Sequence, residues 1–156
     1  MIRDARTTFA SAVSVAAAAG TAVFGNYIDR TTTPNVDQAK LYLQIWCTLT
    51  FVSASGGTVQ FDLISSAATS GSSPNLHIQS PLFVTTTPAS VAPLVAGDLI
   101  LIAELPRGSG VVGIATYLRY VMMQCVTATN TTSAGSVSAF LSLEAGYWAA
   151  LPNASQ

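Results

Sequence analysis

Leu41-Tyr42-Leu43-Gln44-Ile45-Trp46-Cys47-Thr48-Leu49-Thr50-Phe51-Val52 is the stretch on which the fold turns. Its apolar residues recur at every second position, the period of a strand and not the 3.6 of a helix. Leu41, Leu43, Ile45, Cys47, Leu49 and Phe51 share one face, and Gln44, Thr48 and Thr50 take the other together with Tyr42 and Trp46. Gly56-Gly57 supplies a turn, and Thr58 to Ile64 returns with Val59, Phe61 and Leu63 inward. Local chemistry therefore predicts a hairpin.

Outward from this segment, strand-like runs and turn signals alternate. Ser65 to Asn75 is a loop of small residues without periodicity. Leu76 to Val84 reads as a strand interrupted by Pro81, which favours an edge or a bulge. Thr85 to Pro93 is a Thr/Pro loop, and Ala96-Gly97-Asp98 turns into Leu99 to Leu105. After a turn at Pro106 to Gly110 come a long strand at Tyr117 to Thr127, a turn at Thr129 to Gly135 and a last strand at Ser136 to Glu144. In that last strand Val137, Ala139, Leu141 and Leu143 face in while Ser136, Ser138 and Ser142 face out. Thr21 to Asp29 supplies another strand. Residues 9 to 19 suit a short Ala-rich helix, since alanine is the best helix former, or an extended arm. The expected fold is an all-β jelly roll or β-sandwich of seven or eight antiparallel strands with an N-terminal arm or short helix. Its parts are an arm over 1–20, the sandwich over 21–145 and a C-terminal tail over 146–156. A length of 156 residues fits one domain.

Charge is scarce. Lys and Arg number 6 and Asp and Glu 7, or 8% of the chain, against about 25% in an ordinary soluble domain. Ser, Thr, Ala and Gly stand in their place, and mean hydropathy is +0.49. A surface so weakly hydrated, with little self-repulsion, associates readily. No apolar run reaches the roughly 18 residues of a spanning helix; the stretch from Val91 to Leu105 is broken by Pro93, Gly97, Asp98 and Glu104. Neither a membrane nor nucleic acid is an expected partner. A net charge of −1 without a basic patch cannot neutralise a run of phosphates. Arg3 and Arg6 ahead of Ala12 to Ala19 imitate a signal peptide, but Asp4 among the arginines and alanine in place of leucine argue against it.

Little here carries catalysis. His77 is the one histidine, and a hydrolytic triad would need it as the base beside a nucleophile. Asp4, Asp29, Asp37, Asp62, Asp98, Glu104 and Glu144 are scattered without a D-x-D cluster. No His or Cys lies at metal-ligand spacing. Gly108-Ser109-Gly110 precedes a Val-Val-Gly stretch and not the helix of a phosphate loop. No catalytic, metal, cofactor or small-molecule site is expected, and the chain does not read as an enzyme. Cys47 and Cys125 suit two buried thiols, or a bridge if their Cα atoms come within about 7 Å. Aromatic residues are the better signs of contact. Tyr42 and Trp46 leave the strand opposite its apolar row, and Tyr147 and Trp148 lie in an Ala/Leu-rich tail. Either both faces of the first long strand are buried in one domain, or these residues anchor an interface, where Trp and Tyr are enriched.

The order of features is itself distinctive. Met1-Ile2-x-Asp4, Phe9-x-Ser11-Ala12 and Tyr27-Ile28-Asp29 open the chain, followed by Leu41-Tyr42-Leu43, a Thr50-Phe51 strand and the Gly56-Gly57 turn. Ala96-Gly97, Leu105-Pro106-x-Gly108, Tyr117-Leu118-Arg119-Tyr120 and Ala134-Gly135-x-Val137 complete it. Over roughly residues 1 to 145 this resembles the capsid cement, or decoration, proteins of tailed bacteriophages, of the type found in a short-tailed Bordetella phage. The chain departs from that pattern at Arg30-Thr31-Thr32-Thr33-Pro34, where a Gly-rich connection is expected, and beyond Glu144. The resemblance implies a jelly roll made in the host cytoplasm and placed on the outside of the virion's capsid. It would associate with itself, as a homodimer or a trimer, and bridge neighbouring copies of the major capsid protein. Carried over by position, Ile2, Asp4 and Phe9 would belong to a docking arm, and Arg119 would be a strand charge paired across a contact. A carbohydrate-binding jelly roll of a tail fibre is the alternative, and it requires an exposed aromatic platform beside Asp or Asn.

Overall fold

Strands form where β-branched and aromatic residues alternate with Ser, Thr and Gln, and they stop at Gly, Pro and Asn. A computed structural model of the chain describes residues 7–32, 40–53, 56–85, 94–107 and 116–143. Nine strands lie among these: β1 Thr8–Ser14, β2 Gly20–Asp29, β3 Tyr42–Ser53, β4 Gly57–Ser66, β5 Asn75–Gln79, β6 Phe83–Thr85, β7 Leu99–Glu104, β8 Tyr120–Ala128 and β9 Thr132–Ser142. One sheet has the order β1-β9-β3-β7, and the other has β2-β8-β4-β5 with β6 also on β4. Every pairing is antiparallel.

β5 pairs with β4 from Asp62 to Ser65, and β6 pairs with β4 from Gly57 to Val59. They are two halves of one strand position, parted at Ser80-Pro81-Leu82, because proline has no N–H for the ladder. Counted so, nine strands occupy eight positions. The chain crosses from one sheet to the other at nearly every step, as in the two interlocked Greek keys of a jelly roll.

Phe24, Ile28, Val59, Phe61, Leu63, Val121 and Met123 of one sheet meet Leu43, Ile45, Phe51, Val137, Ala139 and Leu141 of the other. Phe61 stands edge-on to Phe24 (6.2 Å, 78°) and to Phe51 (5.9 Å, 77°), which joins the two layers through their aromatic rings. Cys47 and Cys125 are buried free thiols; burial holds the Cys47 thiol up at about 11 and raises that of Cys125 as well.

Four local expectations are corrected. β3 and β4 do not form a hairpin. β3 pairs with β7 and β9, and β4 with β5, β6 and β8. A turn fixes reversal of the chain, but the facing apolar rows of both strands are served equally well by two opposed sheets. Thr8–Ser14, expected as helix or arm, is strand β1 on β9, where tertiary pairing overrides alanine's helix preference. Leu49 is 51% exposed, because the β3–β9 register shifts on both sides of it, between Cys47 and Leu49 and again before Val52, and turns this residue outward while Cys47 and Phe51 stay in the core. Leu143 lies past the end of β9 and is 75% exposed.

In the middle of β2, at its bulge between Phe24 and Ile28, Gly25 has φ +71°, and a Cβ there would collide with the Phe9 carbonyl of β1. The absent side chain lets the two strands cross closely and closes that flank.

Candidate association surfaces

The outward face of the β1-β9-β3-β7 sheet carries Tyr42, Gln44 and Trp46 from β3, with Ser136, Ser138, Phe140 and Ser142 from β9. Tyr42 lies opposite Ser142, Gln44 opposite Phe140, and Trp46 opposite Ser138. Trp46 Nε1 donates to Gln44 Oε1 (3.3 Å), and Gln44 Nε2 donates to Ser142 Oγ (2.8 Å). Ala12 N–H donates to Ser138 Oγ (3.0 Å). Gln44 is fully buried, and Tyr42 and Trp46 are half-buried. The two aromatic residues singled out from the sequence therefore share a face and frame a buried amide. At the rim, Lys40 Nζ sits 4.0 Å from Glu104 and 5.7 Å from the Tyr42 ring.

The other expected contact residues divide. Phe9 is fully buried in the core, because β1 is a sheet strand and its inward positions face the opposite layer. It is no docking residue. Arg119 precedes β8 and pairs within the chain, donating from Nη2 to Asp29 Oδ2 (2.8 Å) and from Nε to Oδ1 (3.2 Å). Thr31 N–H and Oγ1 donate to the same Asp29 Oδ1. The guanidinium lies 4.8 Å from the Tyr120 ring, which meets Tyr27 edge-on at 5.1 Å. β2 and β8 are antiparallel neighbours, so Asp29 falls directly opposite Tyr120 and within reach of Arg119. That placement, and the arginine above all, holds the Asp29 carboxyl well below the usual carboxylate range. Ile2, Asp4, Tyr147 and Trp148 lie outside the described residues.

His77 is part of a half-buried clamp. Its Nε2 is 2.7 Å from Ser65 Oγ, which also accepts Leu118 N–H (2.9 Å). Its ring lies flat on Tyr117, 3.7 Å between centroids and 9° between planes. Arg30 Nη1 donates to the Tyr117 carbonyl at 2.6 Å. Ser65 is fully buried and also accepts a backbone amide, so the Ser–His contact lacks the access of a nucleophile. Burial first, and the Arg30 charge second, push the imidazole down to about 4. Asp62 is also buried and accepts from Gln124 Nε2 (2.9 Å). Among the described residues no group of three His, Cys, Asp or Glu is arranged to hold a metal, and no helix is long and apolar enough to cross a membrane.

Exposed apolar side chains form two groups that the alternation pattern missed. Leu49 and Val95 belong to adjoining segments, joined by Ala96 N–H to Thr50 Oγ1 (3.2 Å) and Phe51 N–H to the Leu94 carbonyl (3.1 Å). Leu76, Leu82 and Val84, each 47–58% exposed, lie along the broken edge position of the second sheet. Pro81 marked that edge in the sequence, whereas a register shift such as that at Leu49 has no sequence sign. Comparison with protein-family models and with curated proteins gives no match.

Proposed function

We propose that this chain is a capsid cement protein, which binds the outside of a phage head and bridges neighbouring major capsid subunits. One observation carries this reading: only 8% of residues are charged, while Leu49, Val95, Leu76, Leu82 and Val84 stand at least 47% exposed. A surface of that composition gains by being covered. The jelly-roll topology and the order of motifs from Met1-Ile2 to Ala134-Gly135 support it further.

The mechanism is binding without chemistry. At about 25 cal/mol per Å² of apolar surface removed from water, a modest contact yields several kcal/mol before the costs of ordering. Repeated over a lattice, such contacts oppose rupture of the shell. Self-association of the protein, as a dimer or trimer, belongs to the same proposal.

The test is to mix purified protein with empty heads of its source phage and image the particles. Regular added density on the shell is the expected result, and bare shells at saturating protein would overturn the assignment.

A further inference from the structure

The outward face of the β2-β8-β4 sheet is closed at one place and open at another. Ile64 and Met122 point away from the core yet are fully buried. The loop between β4 and β5 comes down on them, and at Gly71 (φ +73°) a Cβ would stand 2.6 Å from Val23 Cγ2 and 3.5 Å from both Ile64 Cδ1 and Met122 Sδ. Beyond this cover, where β2 ends and β8 begins, Tyr27 is 50% exposed and the Arg119 side chain 52%. Ile28 and Val121 turn into the core, so Tyr27, Asp29 and Tyr120 turn outward together.

The arginine in this open cluster is held still. Asp29 takes its Nη2 and Nε protons (2.8 and 3.2 Å), Tyr120 lies 4.8 Å beneath its guanidinium, and Arg30 N–H donates to its carbonyl (3.0 Å). Nη1 and the second Nη2 proton form a fork on the far side, and that fork donates to no described residue. Asp29 Oδ1 is filled by Thr31 N–H, Thr31 Oγ1 and Arg119 Nε. Oδ2 takes only Arg119 and keeps acceptor capacity.

We propose that Tyr27, Tyr120, Asp29 and Arg119 form a binding site for a neutral sugar. The C–H face of a pyranose packs on the Tyr27 ring, whose π-cloud attracts polarised hydrogens. Adjacent hydroxyls of the same ring bridge Asp29 Oδ2 and the free fork of Arg119. Charge selects this ligand. Asp29 and Arg119 neutralise one another, so an anion meets the carboxylate and a cation meets the guanidinium. What the pair offers is an acceptor and a donor side by side, 2.8 Å apart at Oδ2 and Nη2. Two neighbouring hydroxyls match that spacing, since each both donates and accepts. A peptide link does not, because its N–H and C=O point in opposite directions. The fixed guanidinium lowers the cost of ordering on binding. The inference does not rest on the capsid assignment: sugar binding can fail while heads are decorated, and the reverse.

The test follows backbone amide resonances of the isotope-labelled full-length chain during titration with the methyl glycosides of glucose, mannose, galactose and rhamnose. At least one should give saturable shifts at Tyr27, Asp29, Arg119 and Tyr120 with a millimolar dissociation constant. Tyr27→Ala should weaken that binding about tenfold, the worth of one aromatic contact, and Tyr27→Trp should retain it. Glucuronate and glucosamine should bind more weakly than the neutral glycoside. Absence of saturable shifts with all four glycosides up to about 0.1 M would overturn the proposal. So would shifts confined to other residues, or a proline-rich peptide moving these amides where the sugars do not. If Tyr27→Ala loses its dispersed spectrum, the location of the shifts in the wild type and their persistence in Tyr27→Trp decide.

Discussion

Replacing His77 with Gln should remove a specific pH dependence of stability. Ser65 Oγ lies 2.7 Å from His77 Nε2 and also accepts Leu118 N–H. Burial, with the Arg30 charge second, holds the ring neutral. Above about pH 6.5 the imidazole is neutral in both folded and unfolded chains. As pH falls, the unfolded chain takes up a proton near 6.5 while the folded one resists until about 4. The unfolded state then binds more protons, so stability falls across this window and levels off below it. A displacement from 6.5 to about 4 corresponds at about 1.4 kcal/mol per pH unit to a ceiling of about 3.4 kcal/mol. The ring is only half-buried, and solvent screening lowers this to about 1–2 kcal/mol. Urea unfolding followed by tryptophan fluorescence, from pH 7.5 to pH 5, reads the effect before most carboxylates titrate. The wild type should lose about 1 kcal/mol over that range and His77→Gln markedly less. Parallel loss in both proteins would refute the account of the clamp.

Four further outcomes follow from the geometry. Phe61→Ala empties the place where Phe24 and Phe51 converge and should cost about 3–5 kcal/mol in chemical denaturation, with Phe61→Leu costing much less. Gly71→Ala forces a side chain into a left-handed turn against Val23 and should lower the melting temperature and speed amide exchange at Ile64 and Met122; an unaltered melting curve would contradict the close packing. Asp29 should stay ionised below the ordinary carboxylate range, so its contribution, present above about pH 4, is lost only as pH falls well beneath it; Arg119→Gln should return its carboxyl titration, read by nuclear magnetic resonance, toward the usual range. Leu49→Ser combined with Val84→Ser should weaken binding to empty heads in a sedimentation assay while leaving thermal stability near wild type.

The alternation at residues 41–52 and 136–142 made the fold class legible, and Pro81 marked the one strand position that is broken. Allocation of β3 and β4 to separate sheets was not legible, since their facing rows look alike in either arrangement. Phe9 and Ala10 gave too short an apolar signal for β1 against an alanine-rich background; only pairing with β9 makes that segment a strand. Leu49 was misplaced because register shifts on both sides of it turn that residue outward without altering the sequence pattern. Tyr42 and Trp46 were correctly set on the second face of β3, but their link through Gln44 to Ser142 joins residues 98 positions apart. Phe140 was passed over because it interrupts a run of serines assigned to solvent.

A chain with so few like charges lacks the usual deterrent against end-on growth into fibres, because ionic repulsion along a sheet margin is weak. Here the missing amide of Pro81, between two short pieces of five and three residues, does that work geometrically. A would-be incoming strand meets an interrupted row of donors and acceptors and cannot run in continuous register. That margin can thus keep Leu76, Leu82 and Val84 outward without offering a continuous template for stacking.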